Sequence, residues 1–536
     1  MFSKRWWLLL ATACIVSFCV GYAHGATPHM IGPDGGDVRS LAYDPQNPDR
    51  VLLGTSSGQI FESRDRGVSW TRFAHLGSGP DYVLDHIVFD PSDSRKLYVA
   101  AWSIERESGE LFRSHNAGKS FESLSGMKGK SIRSFAMAPS NSKILVAGAL
   151  DGVFRSEDGG DHWTRISPEG HKDIKNIESI AIDPKNADLI YAGTWHLAWK
   201  TEDGGEKWHQ IKNGVIDDSD VFSIIVDPTQ PSTVYLSACS GIYKSTASGE
   251  LFHKAQGIPF SARRTRVLKQ DPRHPEVVFA GTTEGLWKTQ DAGTSWHRVT
   301  APNIIVNDVM IDPRDSSRVM LATDRSGVLI STNNSASFVA SNEGFAHRQV
   351  RALLADNKNP NVLYAGMVND KEFGGVFVTR DGGQRWSQLS NGLNGRDVFT
   401  LAQDEKGSVY AGTNAGLFRL ALNAKMWTRV TLPGLMPNVP DMAIQGNNIF
   451  VPTTSGALLV SKDMGKTWNM QRAGKKEPFL KVRANNGMVV AATYTTLLVS
   501  ADGGKHFNVE QSLPVTLITG IAIDGDRNLW IASAQG

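Results

Sequence analysis

Apolar and polar residues alternate in short runs along almost the whole chain, and the runs come in a fixed order. An apolar run ending in Asp-Pro comes first: LAYDP (41–45), IVFDP (87–91), AIDP (181–184), IIVDP (224–228), KQDP (269–272) and MIDP (310–313). A second run follows, such as VLLGT (51–55), LIYAGT (189–194), VVFAGT (277–282) or VLYAGM (362–367). A third has the form GQIFES (58–63), GVFRSE (152–157), GIYKST (241–246) or GLWKTQ (285–290). Period-two alternation and β-branched or aromatic enrichment predict three strands. Asp-Pro followed by Asn, Asp or Ser is turn chemistry. A fourth strand begins at an aromatic residue, as in WTRF (70–73), WTRI (163–166) and WHRV (296–299).

Between the third and fourth strands lies a repeated motif. It reads SRDRGVSW (63–70), SHNAGKSF (114–121), SEDGGDHW (156–163), TEDGGEKW (201–208), STASGELF (245–252), TQDAGTSW (289–296), STNNSASF (331–338), TRDGGQRW (379–386), SKDMGKTW (461–468) and SADGGKHF (500–507). A further unit, RLALNAKMW (419–427), keeps only its tryptophan, giving eleven units spaced 39 to 51 residues apart. The motif is expected to be a hairpin. Its fifth residue, usually Gly, supplies a positive φ. The acid at its third position can accept the turn's own N–H groups, braced by the Ser or Thr hydroxyl. The closing aromatic can bury a large area against a neighbouring sheet. These third positions are Asp65, Asn116, Asp158, Asp203, Asp291, Asn333, Asp381, Asp463 and Asp502, and their expected role is structural. A four-stranded unit repeated at this period is a propeller blade. The fold class expected is therefore all-β, a β-propeller of about eleven four-stranded blades.

The blades VFAGTTEGLWKTQDAGTSWHRV (278–299) and LIYAGTWHLAWKTEDGGEKWHQI (189–211) resemble Asp-box propellers of the photosystem II assembly factor and sortilin types. They also resemble the blades of xyloglucan-active glycoside hydrolases and, more distantly, sialidases. The resemblance implies that the Asp boxes lie on the face away from any active site. Eleven units exceed an ordinary ring of four to eight blades. One large ring of the sortilin kind is possible. The preferred division is a seven-bladed propeller over 26–341 and a second over 342–536, with SNEGFAHRQV (341–350) as the crossover. ATPHMIG (26–32) could donate one outer strand. ITGIAIDGDRNLWIASAQG (518–536) supplies two strands of a twelfth unit, so that either the last blade is thin or the chain lacks part of its natural C-terminus, the second being the preferred expectation.

Composition changes the picture at the N-terminus. Lys4 and Arg5 precede the apolar run WWLLLATACIVSFCVG, and Ala23 and Gly25 fit cleavage before Ala26, so residues 1–25 read as a signal peptide. The mature chain is then extracytoplasmic, periplasmic or secreted, with no stable membrane insertion. Its removal takes Cys14 and Cys19 and leaves Cys239 alone, so no internal disulfide is expected. Lys+Arg falls from 56 to 54 against 54 Asp+Glu, and near-zero net charge gives no footing for nucleic acid as partner.

No sialidase constellation, Gly-x-Ser-x-Gly, metal-type His spacing or cofactor motif is present, and Cys239 in LSACSG reads as an inert strand thiol. The sharpest candidate is positional. The residue five before the Asp of each Asp-Pro turn, or its equivalent (Ala138 in MAPS, Asp356 in DNKNP), gives Arg39, Asp85, Arg133, Glu178, Phe222, Arg266, Asn307 and Arg351, with alternating sign over the first four. One reading is a ring of cross-blade ion pairs. A second is a recognition ring for a polar ligand or peptide end. A third makes Asp85 and Glu178 an acid/base pair, although two blades separate them. Local basicity adds Arg263, Arg264 and Arg266 in SARRTRV, and His347, Arg348 and Arg351 in HRQVR. This is similar in kind to the arginine patch of photosystem assembly factors. The function expected is non-catalytic binding or assembly, with a protein or polysaccharide as ligand. The alternative is a glycoside hydrolase, or a carbohydrate binder, working in the cleft between propellers. Two exposed carboxylates flanked by exposed Trp or Tyr would favour the enzyme.

Overall fold

The computed structural model describes residues 31–534, save for 78, 80, 218, 263, 435–437, 473–476, 511, 512, 514 and 516. The proposed signal peptide and Arg263 therefore lie outside the described residues. Eleven four-stranded antiparallel sheets follow one another, each built from four consecutive strands. A twelfth unit contributes the strand pair Ile518–Ile523 and Leu529–Ser533. Gly35–Gly36 pairs in parallel with Ala346–His347. The chain is thus an all-β propeller protein, with the blade number and strand order that its repeats predict.

The turns form for local reasons. In the Asp-Pro turns the carboxylate accepts the chain's own N–H groups, as Asp183 does from Lys185 (2.8 Å) and Asn186 (2.9 Å). In every Asp box the first hydroxyl is the hub. It accepts the N–H of the fifth residue, from Gly67 on Ser63 (2.7 Å) to Gly504 on Ser500 (2.9 Å). Where the third residue is acidic, the hydroxyl donates to it, as Thr201 does to Asp203 (2.8 Å). That carboxylate accepts the N–H of the seventh residue, as Asp203 does from Lys207 (3.0 Å). Donors of this kind, first the Ser295 hydroxyl, hold the Asp291 carboxyl down at about 2. The fourth residue also has a positive φ, even where it is Arg66 (63°), Ala117 (61°) or Ser248 (52°). Two successive left-handed residues make the tight corner.

The core lies between blades. One cluster joins Val38, Leu53, Phe61 and Trp70 of the first blade to Met310, Met320, Ala322 and Ile330 of the seventh, with Phe345 fully buried among them. Cations stitch the same seams. In the first seven blades the carbonyl of the fourth box residue accepts a hydrogen bond from a basic side chain of the preceding blade. Arg50 bonds Ala117 (2.7 Å), Arg113 Gly159 (2.9 Å) and Arg155 Gly204 (3.4 Å). Lys200 bonds Ser248 (3.2 Å), Lys244 Ala292 (2.8 Å) and Lys288 Asn334 (3.1 Å). The seventh contact, Arg318 to Arg66 (2.6 Å), joins the seventh blade to the first. Leu41 N–H to Asp308 (2.9 Å), Trp70 Nε1–H to the Ser341 carbonyl (2.9 Å) and an Arg66–Asp312 ion pair (2.6 Å) join the same two blades.

The later blades differ. Val378, Val460 and Val499 stand at the position from which Arg113, Arg155, Lys200, Lys244 and Lys288 reach across in blades two to six. The first strand of the eighth blade, Val350–Ala355, is largely exposed, with Leu353 at 73%. Trp530, in the final strand, is 64% exposed.

Candidate functional site

The positional series from the sequence occupies one structural niche. Antiparallel pairing between the first two strands of a blade skips one residue near the start of the first strand. The skipped residues are Asp85, Arg133, Glu178, Phe222, Arg266, Asn307 and Arg351. Arg39 immediately precedes the corresponding strand, Ser40–Tyr43. A β-bulge re-aims the extra side chain out of the ladder, and here the same bulge recurs blade after blade.

Contacts among these residues form two groups. In the first, the Trp102 indole N–H donates to Asp85, and the Arg133 guanidinium lies 3.9 Å from the Trp102 ring centre. Arg133 also stands 3.7 Å from Glu178, and the Trp195 Nε1–H donates to Glu178 at 2.8 Å. Burial raises the Glu178 carboxyl above the usual range, against the Trp195 hydrogen bond and the charge of Arg133; Asp85 and Asp220 push it the same way as burial. In the second group, Arg266 donates to Asn307, whose amide donates to the Val38 carbonyl (2.7 Å). Arg39 pairs with Asp37 (2.9 Å) and Asp324 (3.7 Å). The alternating charges of blades two to four therefore meet around Arg133, whereas Arg39 finds its partners on the first and seventh blades.

The basic loops separate. Arg264 is exposed, with no side-chain partner among the described residues. Arg348 is taken up in the joint between the seventh and eighth blades, paired with Asp370 (2.7 Å), bonded to the Asp34 carbonyl (2.8 Å) and stacked 4.9 Å from the Phe377 ring centre. His347 bonds Ser57 (2.6 Å) and stacks on Phe345; burial, then Arg39, pushes its imidazole down to about 4. Arg351 lies exposed on the eighth blade, apart from the other bulge residues.

A polar cleft of about 650 Å³ opens where the seventh blade meets the eighth and ninth, lined by Arg325, Asn369, Lys371, Glu372, Asn394, Gly395, Asp397 and Asn414. Asn369, Lys371 and Asn394 all have left-handed backbones, with φ of 65°, 48° and 49°. Such strain clusters at functional sites. Arg325 donates to the Asn369 carbonyl (2.8 Å). Asp397 accepts the Asn369 N–H (2.7 Å) and the Asn414 amide (3.2 Å), and Glu372 accepts from Asn303 (3.0 Å). No Trp or Tyr lines the cleft. Among the described residues, no three His, Cys, Asp or Glu side chains are grouped to hold a metal ion. No described helix is long and apolar enough to cross a membrane.

Sequence reasoning missed Trp102 and Trp195. Trp102 follows Ala101, which pairs with Leu84 just before the bulge, and Trp195 follows Thr194, which pairs with Ile177 just before the next-but-one bulge. Aligning the second strands of the blades, AAWS against GTWH, places the two tryptophans in one column. The cleft residues had no such signal, because their loops differ in length from blade to blade.

A family model described as sortilin, neurotensin receptor 3, matches residues 284–416. A xyloglucanase of Paenibacillus sp. is 28% identical over 168 residues, covering 24% of this chain and only 16% of that protein's length. Among solved structures, the GH74 xyloglucanase of Xanthomonas campestris aligns with a TM-score of 0.54 at 18% identity, over 90% of this chain and 88% of that one. An ancestral GH74 enzyme aligns with a TM-score of 0.67 at 16% identity, over 90% and 84%. At such identities the likeness is one of fold, and the chain is a propeller resembling these proteins.

Proposed function

We propose that the protein is an extracytoplasmic binding or assembly scaffold, in which a seven-bladed propeller over residues 26–341 and a second propeller unit over 342–536 present a ligand-binding mouth and the cleft beside it. The division rests on the seam between the seventh and first blades, which repeats the stitches of the other six. The localisation rests on the signal-like N-terminal sequence.

One observation carries the non-catalytic reading. The candidate carboxylates of the mouth and the cleft each accept a hydrogen bond from within the chain. Asp85 and Glu178 each hold a tryptophan N–H and flank Arg133, and Asp397 holds a backbone N–H and an amide. Hydrogen bonds of this kind tie each carboxylate to the chain's own donors, whereas a general acid or base needs its oxygen within reach of a substrate atom.

Cross-linking of the mature protein in its native compartment, read by mass spectrometry, tests this. The expected cross-links join a protein partner to the mouth loops near Arg264 and Arg266 or to the cleft near Lys371. Cross-links confined to the Asp-box face would overturn the reading. A glycoside hydrolase remains the second reading, favoured by the polar cleft and by the xyloglucanases that share the fold.

A further inference from the structure

Blades two and four carry the same device at the same place. In each, a carboxylate at the bulge accepts the indole N–H of a tryptophan at the end of the second strand, Asp85 from Trp102 within its last two residues and Glu178 from Trp195 just beyond it. The blades differ in what covers the indole. Over Trp102 lies the guanidinium of Arg133, contributed by the bulge of the next blade. The corresponding residue beside blade four is Phe222, which carries no charge. Trp195 is left 50% exposed. Glu178 keeps only a long 3.7 Å approach from Arg133, and its second oxygen has no hydrogen-bond partner among the described residues.

We propose that Trp195 and Glu178 form a binding site for a guanidinium group on a partner protein, so that an arginine supplied in trans takes the place that Arg133 fills in cis on blade two. The site deepens the scaffold reading above and rests on it. The stacking is that of the filled copy, where Arg133 lies on the Trp102 ring without pairing with Asp85; at blade four the open Glu178 oxygen adds a second contact. A planar guanidinium stacks on the indole face while its edge N–H groups reach the carboxylate. The adjoining loop suits a basic segment. It is held to the Trp195 loop by the Leu197 N–H on the Ser219 carbonyl (2.8 Å), and it presents exposed Ile216 and Asp217.

The test uses the mature full-length protein and three probes: the blocked peptide acetyl-Gly-Arg-Gly-amide, its citrulline counterpart, and methylguanidinium. Affinity is read by calorimetry and by the Trp195 indole N–H resonance, assigned with Trp195→Phe. The arginine peptide is expected to bind about tenfold tighter than the citrulline peptide. Trp195→Ala and the near-isosteric Glu178→Gln should each remove most of that preference at unchanged melting temperature. Equal affinity for arginine and citrulline, or undiminished binding by both variants, would overturn the proposal. Methylguanidinium binding as tightly as the peptide would overturn a protein-borne source. If a cross-linked protein partner is retained undiminished by Trp195→Ala, this site fails while the scaffold reading stands.

Discussion

The box hydroxyl, more than the carboxylate that marks the motif, holds each turn. Thr201 is fully buried and makes two good hydrogen bonds, whereas Asp203 stands at the surface, where water can replace its contacts. Thr201→Val should therefore cost about 1–3 kcal/mol in chemical denaturation by stranding the Gly205 N–H, and Asp203→Ala should cost less. The reverse order would show that the carboxylate dominates. His347 gives a pH test. Its folded value, about 4, lies below the ordinary imidazole value of about 6.5. Protonation therefore favours the unfolded chain. The stability this residue contributes is full above the ordinary value and lost as pH falls towards 4. His347→Gln, which can keep the Ser57 hydrogen bond, should flatten denaturation stability across that window by about 2 kcal/mol. An unchanged slope would place the acid sensitivity elsewhere. The motif's roles were legible because Ser, Asp and Gly have strong turn preferences. The left-handed fourth position was not, since Arg66, Ala117 and Ser248 have none, and they adopt it where a basic side chain of the preceding blade bonds their carbonyl.

Blade by blade, the repeat period made strand order and the bulge column readable, because residues at one offset share one environment. Five of the seven inter-blade cations were present in the sequence as the Lys or Arg before the box hydroxyl, in LFRS, VFRS, AWKT, IYKS and LWKT, whereas Arg50 and Arg318 come from the second strand or the residue before it. Their acceptors, carbonyls in the next blade, leave no compositional trace. Lys244 donates to Ala292 at 2.8 Å and lies 5.5 Å from the Tyr235 ring centre. Lys244→Met preserves the packing and removes the stitch, so it should lower stability by about 1–2 kcal/mol while leaving circular dichroism unchanged. A neutral outcome would reduce these contacts to surface decoration of seams held by apolar packing alone.

Across the whole molecule, which blades close on which is a long-range fact that near-identical repeats cannot encode locally. The crossover near 341–350 illustrates this. Its sequence reads as a linker, yet Phe345 is buried against Phe61, and the Glu343 carbonyl accepts the Trp70 backbone N–H (2.8 Å). Hydrogen exchange should reflect the contrast between the two sets of blades. Amides of Val350–Ala355 and Ile518–Ile523, which pack on one side only, should exchange faster than those of Ile177–Ile182 in the first set. Uniform protection would argue for one continuous ring. The central claim concerns chemistry, and the most direct measurement is reducing-end release from a panel of soluble polysaccharides, xyloglucan included, by the mature protein. Because its mouth and cleft carboxylates are held as hydrogen-bond acceptors, the account predicts no release above the protein-free blank. Release that disappears in Asp397→Asn or Glu178→Gln would contradict it and make the protein a hydrolase.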